Sequence, residues 1–323
     1  MRPHGSIFVF SPVIWGLVIL QTSAIALWIA FSPRISLSFH DFGSMVVMVG
    51  FFLCIGMAVA GLRELRPSLV YLERVQVAAM GMVFMIVAFH GIRFLNHLTM
   101  SMALPLADDW LDSWDKLIGF DWYAYATWLG QFQEWLPYAR VPYSTTPLAS
   151  GLVFMMLVLI GRAKRAVEFG SLLFIAALFT IIVAGFFPAE AAMVRYMDEA
   201  QRAVFGAGAG DYHMAVFNHL RGSDHIVMSF ANLPGLATFP SFHTITGLFI
   251  VYACRDSLYT LVPAGLWTSV MLIVTPVYGG HYLIDILAGG AVTAVLIFCA
   301  LHVSSRRGAR LHIAAGLPTG AIS

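Results

Sequence analysis

Long apolar segments alternate with more polar ones along most of the chain. A helix crosses a bilayer core with about 20 apolar residues, and several of the segments reach that length. Hydropathy places eight candidate spans near residues 7–31, 44–62, 75–103, 141–161, 168–187, 241–254, 258–277 and 281–303. The pattern therefore predicts an all-α, polytopic membrane helix bundle of about eight transmembrane helices.

Composition leads to the same class of protein. Hydrophobic residues make up 59% of the chain and charged residues only 11%, whereas soluble chains are roughly 45–50% apolar and about 25% charged. The first apolar run exceeds the core of a signal peptide, about 7–15 residues, so we interpret it as a retained span. The net charge of +1 gives no reason to expect a nucleic-acid partner. The cysteines lie in apolar runs and predict neither a disulfide framework nor a metal site.

Basic residues predict the orientation of the bundle. If the N-terminus is cytoplasmic and every span crosses, 11 of the 18 Lys and Arg residues fall on the cytoplasmic side. These are Arg2, Arg63, Arg66, Arg74, Arg162, Lys164, Arg165, Arg255, Arg306, Arg307 and Arg310. Because cytoplasmic loops tend to be basic, we expect both termini in the cytoplasm.

The same orientation leaves two long segments outside, 104–140 and 188–240. Segment 104–140 mixes tryptophan with acidic residues, which is typical of amphipathic helices that lie in the membrane interface. Its tryptophans are expected mainly to anchor the protein at headgroup depth. Segment 188–240 is too long and polar for a turn, and long loops are often functional.

Two histidines follow glycine- or proline-containing stretches at the outer face. His243 lies in "TFPSFHTITG" and His281 in "YGGHYLIDILAGG", each at the N-terminal end of a predicted span. Asp285 follows His281 by four residues and shares its helical face. A carboxylate there can hold one imidazole nitrogen and leave the other free as a nucleophile or base. Helix N-termini also favour anions, so the sequence predicts chemistry on a phosphate ester.

These stretches carry a resemblance to a known family. "FPSFH" is similar to the second motif of the type 2 phosphatidic acid phosphatase superfamily, usually Pro-Ser-Gly-His. "GGHYLID" resembles the histidine-and-aspartate end of its third motif. The substitution of the motif glycine, together with "DKLIGFDW" and "VPYSTTPLASG", resembles the branch that includes inositol phosphorylceramide synthases and many bacterial relatives.

The resemblance implies a division of the chain and a location. Two additional N-terminal transmembrane helices would occupy 1–74, a catalytic core with six helices 75–305, and a short cytoplasmic tail 306–323. The bacterial relatives imply an integral protein of the bacterial inner membrane, with an extracytoplasmic active site.

The resemblance also implies a role for each motif residue. His281 would be the nucleophile that forms a phosphohistidine, and Asp285 would orient it. His243 would protonate the leaving group, and Ser241 would donate a hydrogen bond to a phosphate oxygen. Gly280, directly before the nucleophile, is a further substrate-binding candidate. No metal or other cofactor is implied.

Phosphate-binding cations are missing from their usual positions. The third motif usually opens with Ser-Arg, but Val274 and Thr275 stand there, and the first motif, a Lys followed by Arg-Pro, is absent after the fifth span. A phosphate dianion still needs cationic partners. The outer segments offer Arg221, Arg195 and Arg140, and Arg221 is favoured because it lies in the loop that leads to the second motif.

Three kinds of function remain open from the sequence. The favoured one is a metal-independent phosphatase or phosphotransferase acting on a membrane lipid phosphate at the outer leaflet. Water as acceptor gives a hydrolase, and an alcohol gives a head-group transferase of the inositol phosphate type. A metal-dependent membrane hydrolase could use His243, His281 and Asp285 as ligands. A proton-coupled transporter is the third, although paired repeats and broken midplane helices are not seen. The lipid, the acceptor and the oligomeric state are not determined by the sequence.

Overall fold

The computed structural model describes residues 9–39, 42–230 and 233–314, which fold mainly into helices. In chain order the α-helices are α1 (Pro12–Phe31), α2 (Phe42–Leu65), α3 (Val70–Met100), α4 (Asp108–Leu117), α5 (Trp122–Leu129), α6 (Leu136–Ser144), α7 (Thr146–Leu159), α8 (Ala163–Phe186), α9 (Ala192–Tyr196), α10 (Glu199–Arg202), α11 (Met214–Gly222), α12 (Phe242–Ala253), α13 (Leu258–Tyr278) and α14 (Leu283–Ala314). Short 3₁₀ turns cover Gly130–Phe132 and Ala203–Phe205. Residues 315–323, the end of the predicted tail, lie outside the described residues.

Six of these helices within the described ranges are long and apolar enough to cross a membrane: α1, α2, α3, α8, α13 and the first two-thirds of α14. The helices α6 and α7 pass the same test only as a pair, bent by 56°. The all-α, polytopic membrane architecture is therefore confirmed. The sixth of the eight predicted spans, 241–254, folds as α12, which has 12 residues. At about 1.5 Å per residue, α12 alone is about 18 Å long, which is less than a hydrocarbon core of about 30 Å.

The bend between α6 and α7 has a cause in the sequence. Pro147 has no backbone N–H, so it cannot donate to the carbonyl of Tyr143 four residues earlier, and the chain reorients at Thr145. As a result α6 lies across the end of α13 instead of continuing α7. The hydroxyl of Tyr278 in α13 donates to the carbonyl of Leu136 at 3.1 Å, which fixes this crossing.

Aromatic side chains fill the centre of the bundle. Phe84, Phe154, Phe169, Phe174 and Phe249 are fully buried there, and they come from α3, α7, α8 and α12. In water-soluble proteins, burying a large apolar side chain stabilises the folded state by about 1.5–3 kcal/mol. Where these rings are shielded from water, their burial therefore favours one packing of the helices.

A short parallel sheet that the hydropathy pattern did not indicate ties the N-terminal helices to the long segment between α8 and α12. The strand β1 (Ile35–Ser38) pairs with β2 (Ile226–Ser229), with Ile35 opposite Ile226. The first strand joins α1 to α2, and the second lies in the long segment between α8 and α12. The additional helices are therefore fixed to the same end of the bundle as the motif residues.

The two ends of the bundle differ in chemistry. One end carries Arg162 and Arg165, which both pair with Asp256 at 2.7 Å. The other end holds segments 104–140 and 188–240, which contact each other through the N–H of Ala107 and the carbonyl of Pro188 at 2.7 Å. Assignment of these ends to the two sides of the membrane stays a prediction.

Candidate active site

His281 lies in the short link between α13 and α14. Its Nδ1 is 3.1 Å from Oδ2 of Asp285, and the N–H of Tyr282 donates to the same oxygen at 3.0 Å. Asp285 is fully buried, so these bonds replace the water that its carboxylate loses. A carboxylate accepts only from a protonated nitrogen, which assigns the proton to Nδ1 and leaves Nε2 as the basic, nucleophilic atom.

Ser241 joins the second motif to this histidine. Its Oγ lies 3.4 Å from Nε2 of His281 and accepts the N–H of Thr244 at 3.4 Å, so it caps the N-terminus of α12. The backbone N–H of Ser241 donates to the carbonyl of Asp285 at 3.0 Å. The starts of α12 and α14 are therefore in direct contact.

His243 follows in the first turn of α12 and stacks on Tyr143. The two ring centroids are 4.0 Å apart and the planes differ by 17°. The hydroxyl of Tyr143 also lies close to the other histidine: a Cβ added to Gly279 would meet that hydroxyl at 2.8 Å and Cδ2 of His281 at 2.4 Å. Only glycine leaves room for the two side chains to approach there.

Both histidines line one cavity of about 710 Å³. Its polar end contains the two imidazoles, and its apolar walls come from α3, α7 and α8. The apolar lining residues include Met82, Met85, Phe89, Phe154, Leu173 and Ile181. The cavity therefore offers a reactive polar end and an apolar compartment within the bundle.

The other substrate-binding candidates lie in different surroundings. Arg140 lines the cavity, donates to the carbonyl of Ala207 at 3.2 Å and has its Cζ 5.3 Å from the centre of the Tyr278 ring. Gly280 has a φ of +65°, and a Cβ there would meet the carbonyl of Gly210 at 2.7 Å. Glycine is thus needed at position 280 for backbone packing.

The other two predicted arginines contact protein groups and are not among the residues that line the cavity. Arg195 pairs with Asp109 at 2.8 Å and with Asp112 at 3.4 Å. Arg221 donates to the carbonyl of Leu104 at 2.8 Å. The structure therefore brings together His243, Ser241, His281, Asp285 and Arg140, and it does not bring Arg195 or Arg221 to this cavity.

Asp115 supports the reactive segment in a way that the sequence analysis missed. Its two carboxylate oxygens accept the N–H groups of Leu283 and Ile284, each at 2.8 Å. These are two of the unpaired donors at the N-terminus of α14. Burial raises the pKa of Asp115 to about 6, because the charged carboxylate is poorly hydrated there. The available signal was its place at the start of "DKLIGFDW", to which no role was assigned.

Two more contacts from the same region hold the link in place. The indole of Trp122 donates to the carbonyl of His281 at 3.0 Å, and Trp122 is fully buried within the protein. The hydroxyl of Tyr282 donates to Asp108 at 3.0 Å. Helices α4 and α5 therefore hold the link between α13 and α14, which contains His281, in place.

Further polar residues line the cavity besides the predicted ones. His213 is one of them; its Nε2 lies 2.8 Å from the carbonyl of Glu190, and burial lowers its pKa. Arg93, Asn96 and Thr180 also line the cavity, from within the membrane helices α3 and α8. Among the residues that the structure describes, no group of three or more His, Cys, Asp or Glu side chains is placed to hold a metal ion.

The apolar helices and this cluster of buried polar residues define an integral membrane protein with a candidate catalytic site at one end of its bundle. A family model described as PAP2 superfamily matches residues 109–300, more than half of the chain and including both histidines. The chain belongs to this superfamily, the type 2 phosphatidic acid phosphatases, which supports a phosphatase-type function. No curated protein and no solved structure matches the chain.

Proposed function

We propose that this protein is a lipid-phosphate phosphatase or phosphotransferase that works through a phosphohistidine on His281, at the outer face of the membrane. The observation that supports this most directly is the arrangement of His281. Its Nδ1 is held by the buried Asp285 at 3.1 Å, while its ring and that of His243 line the same cavity.

The first step uses both histidines. Nε2 of His281 attacks phosphorus, a P–N bond forms, and the bond from phosphorus to the lipid oxygen breaks. Protonated His243 gives its proton to the departing oxygen. Asp285 stabilises the positive charge that develops on the phosphorylated ring, and Ser241 donates a hydrogen bond to a phosphoryl oxygen.

The second step restores the enzyme. The oxygen of water or of an alcohol attacks the phosphohistidine, the P–N bond breaks, and the now neutral His243 accepts the proton of the attacking group. Water gives inorganic phosphate, and an alcohol gives a new phosphate ester. The covalent intermediate is common to both outcomes, so the head-group transferase stays the alternative to the hydrolase.

The apolar compartment supports a lipid as substrate. Side chains such as Met85, Phe89 and Ile181 line the cavity beside the imidazoles, and ligand sites are typically apolar with a few placed polar groups. A lipid can then present its phosphate to the histidines while part of its chain occupies the compartment between α3, α7 and α8.

The test is a product analysis. Purified protein is offered a panel of lipid phosphates, with and without candidate alcohols, and the products are separated and identified. We expect release of phosphate or transfer to an alcohol, insensitivity to chelators, and loss of turnover in His281→Ala. The matched control is His302→Ala, a histidine near the far end of α14. Turnover that chelators abolish while His281→Ala retains it would contradict the proposal.

A further inference from the structure

Arg93 carries a charge on the membrane helix α3, at an exposed position. It lies in α3, two turns before the end of that helix at Met100, and it lines the cavity. Among the described residues, no carboxylate comes within ion-pair distance of its guanidinium. A charged residue within a transmembrane segment is costly and generally marks a functional site.

Two buried polar groups that line the same cavity also lack partners. The Oδ1 of Asn96 and the Oγ1 of Thr180 have no hydrogen-bond partner among the residues that the structure describes. Asn96 is 3% exposed and Thr180 is 0% exposed. A buried polar group without a partner typically costs about 1–3 kcal/mol, so the hydroxyl of Thr180 calls for an acceptor on a ligand and the amide oxygen of Asn96 calls for a donor.

The positions of these groups in the helices are consistent with a common subsite. Asn96 follows Arg93 by three residues and therefore shares its face of α3. Thr180 comes from α8, which packs closely along α3: a Cβ on Gly185 would meet Cβ of Thr99 at 2.8 Å. A cation, an amide and a hydroxyl thus line one wall of the cavity.

Two tyrosines connect this wall with the reactive histidines. Arg93 and Tyr212 are close enough for their charges to interact, and the side chain of Tyr212 lies near that of Tyr143. Tyr143 stacks on His243. All four side chains line the same cavity, so a ligand at Arg93 shares its compartment with the reaction.

We propose that Arg93, Asn96 and Thr180 form an anion subsite within the membrane that binds the phosphoryl group of the ligand. The identity of that ligand as a lipid phosphate rests on the function proposed above. The guanidinium supplies positive charge and several N–H donors, and the NH₂ group of Asn96 and the hydroxyl of Thr180 can each donate a hydrogen bond to a phosphoryl oxygen. The subsite compensates for the motif arginine that Thr275 replaces.

Two observations make this subsite a property of this chain. The family match begins at residue 109, so the contribution of α3 lies outside it. The loop candidates Arg195 and Arg221 are held by protein acceptors. The guanidinium of Arg93, in contrast, has no such acceptor within the described part of the chain, which leaves it available to an anion.

The experiment measures binding, with inorganic phosphate and a long-chain alkylphosphonate as probes. Arg93→Gln removes the charge and should weaken binding of the phosphonate by about 10- to 100-fold, the range for a hydrogen bond to a charged group. Arg93→Lys keeps the charge but not the planar guanidinium group, so it should weaken phosphonate binding less than Arg93→Gln does. The matched control is Arg34→Gln, an outer-end arginine that donates to the carbonyl of Ser223 and should change binding less than about twofold.

The two probes separate the possible sources of the anion. Weakened binding of both probes supports a subsite for the phosphoryl group itself. Weakened binding of the alkylphosphonate alone supports a subsite that needs the lipid chain as well. Unchanged binding of both probes in Arg93→Gln overturns the proposal.

A second variant allows the test to be made even if Arg93→Gln misfolds. Because Arg93 has no acidic partner to leave behind, Arg93→Gln should keep or raise the melting temperature. If it does not fold, Asn96→Asp tests the same subsite, since an added carboxylate should repel both probes by a similar factor. Normal probe binding in a folded Asn96→Asp protein would then overturn the proposal.

The outcomes also separate this subsite from the proposed function. Wild-type protein that binds the phosphonate through Arg93 but turns over no lipid phosphate would contradict the function and leave the subsite standing. Wild-type turnover with unchanged binding in Arg93→Gln would contradict the subsite alone.

Discussion

The carboxylate of Asp115 accepts the backbone N–H of Leu283 at 2.8 Å, although 168 residues separate the two along the chain. An extramembrane helix thereby fixes the first turn of the helix that carries Asp285. Since Asp285 holds His281, the position of the proposed nucleophile depends on a residue that is not hydrogen-bonded to the histidine itself.

This relationship predicts a catalytic effect of Asp115→Asn. The amide can accept one of the two N–H groups but presents its NH₂ to the other, so the link at His281 should shift. Misplacement of reacting groups by about 1 Å can cost about 100-fold, and we expect kcat to fall by about 10- to 100-fold with little change in KM. Steady-state kinetics on a lipid phosphate measures the two constants separately.

Asp121→Ala is the control for this variant. Asp121 caps α5 through the N–H of Ala124 at 2.9 Å, and its loss should lower stability by about 0.5–2 kcal/mol. Only Asp115→Asn should lower kcat. An equal effect of the two variants on kcat would show that a general loss of stability, and not the position of His281, causes the fall in kcat.

The raised pKa of Asp115 predicts a pH dependence of stability. Its pKa is about 6 in the folded protein, above the ordinary value of about 3.9. Between about pH 4 and pH 6 the folded state therefore binds more protons than the unfolded state, and the contribution of Asp115 to the free energy of unfolding falls as the pH rises. Denaturation in detergent at several pH values should show that the free energy of unfolding falls less with rising pH in Asp115→Asn than in wild type. An identical slope in the two proteins would contradict the assignment.

The role of His243 predicts an effect that depends on the leaving group. Loss of a general acid typically costs about 100- to 10,000-fold, so His243→Ala should be slow on an alkyl phosphate. Nitrophenyl phosphate releases nitrophenolate, which needs no proton to depart, so the defect of His243→Ala should be much smaller on this substrate. An equal defect on both substrates would exclude His243 as the acid and favour a purely binding role.

The predicted orientation can be tested by labelling. Glu199→Cys lies at an exposed position in the segment between α8 and α12, and Ser257→Cys lies at a partly exposed position between α12 and α13. In a background without native cysteines, an impermeant thiol reagent applied to intact cells should label position 199 and spare position 257. The reverse pattern would place the active site in the cytoplasm.

Local patterns were enough to find the centre of the site. The four-residue spacing of His281 and Asp285 predicts contact within a helical turn, and the structure shows it at 3.1 Å. The alternation of spans predicted that His243 and His281 lie at the same end of the bundle. Hydropathy also gave the membrane class, because apolar segments of that length have few other uses.

Contacts between residues that are far apart in the sequence could not be predicted from local patterns. Proximity in sequence to the second motif favoured Arg221, but its guanidinium donates to Leu104, 117 residues away. Arg93 lay inside a predicted span, and hydropathy does not tell which face of a helix meets a cavity. The pairing of Asp115 with α14 and of β1 with β2 likewise depends on tertiary packing.

The most direct test of the central claim is to trap the covalent intermediate. Wild-type protein is mixed with a lipid phosphate labelled in its phosphoryl group, quenched at high pH because phosphohistidine is acid-labile, and digested to locate the label. We predict label on His281 in wild type, none in His281→Ala, and a reduced but measurable amount in Asp285→Asn, whose amide still holds the ring without stabilising its charge. Full turnover without label on His281, or label that persists in His281→Ala, would contradict the account.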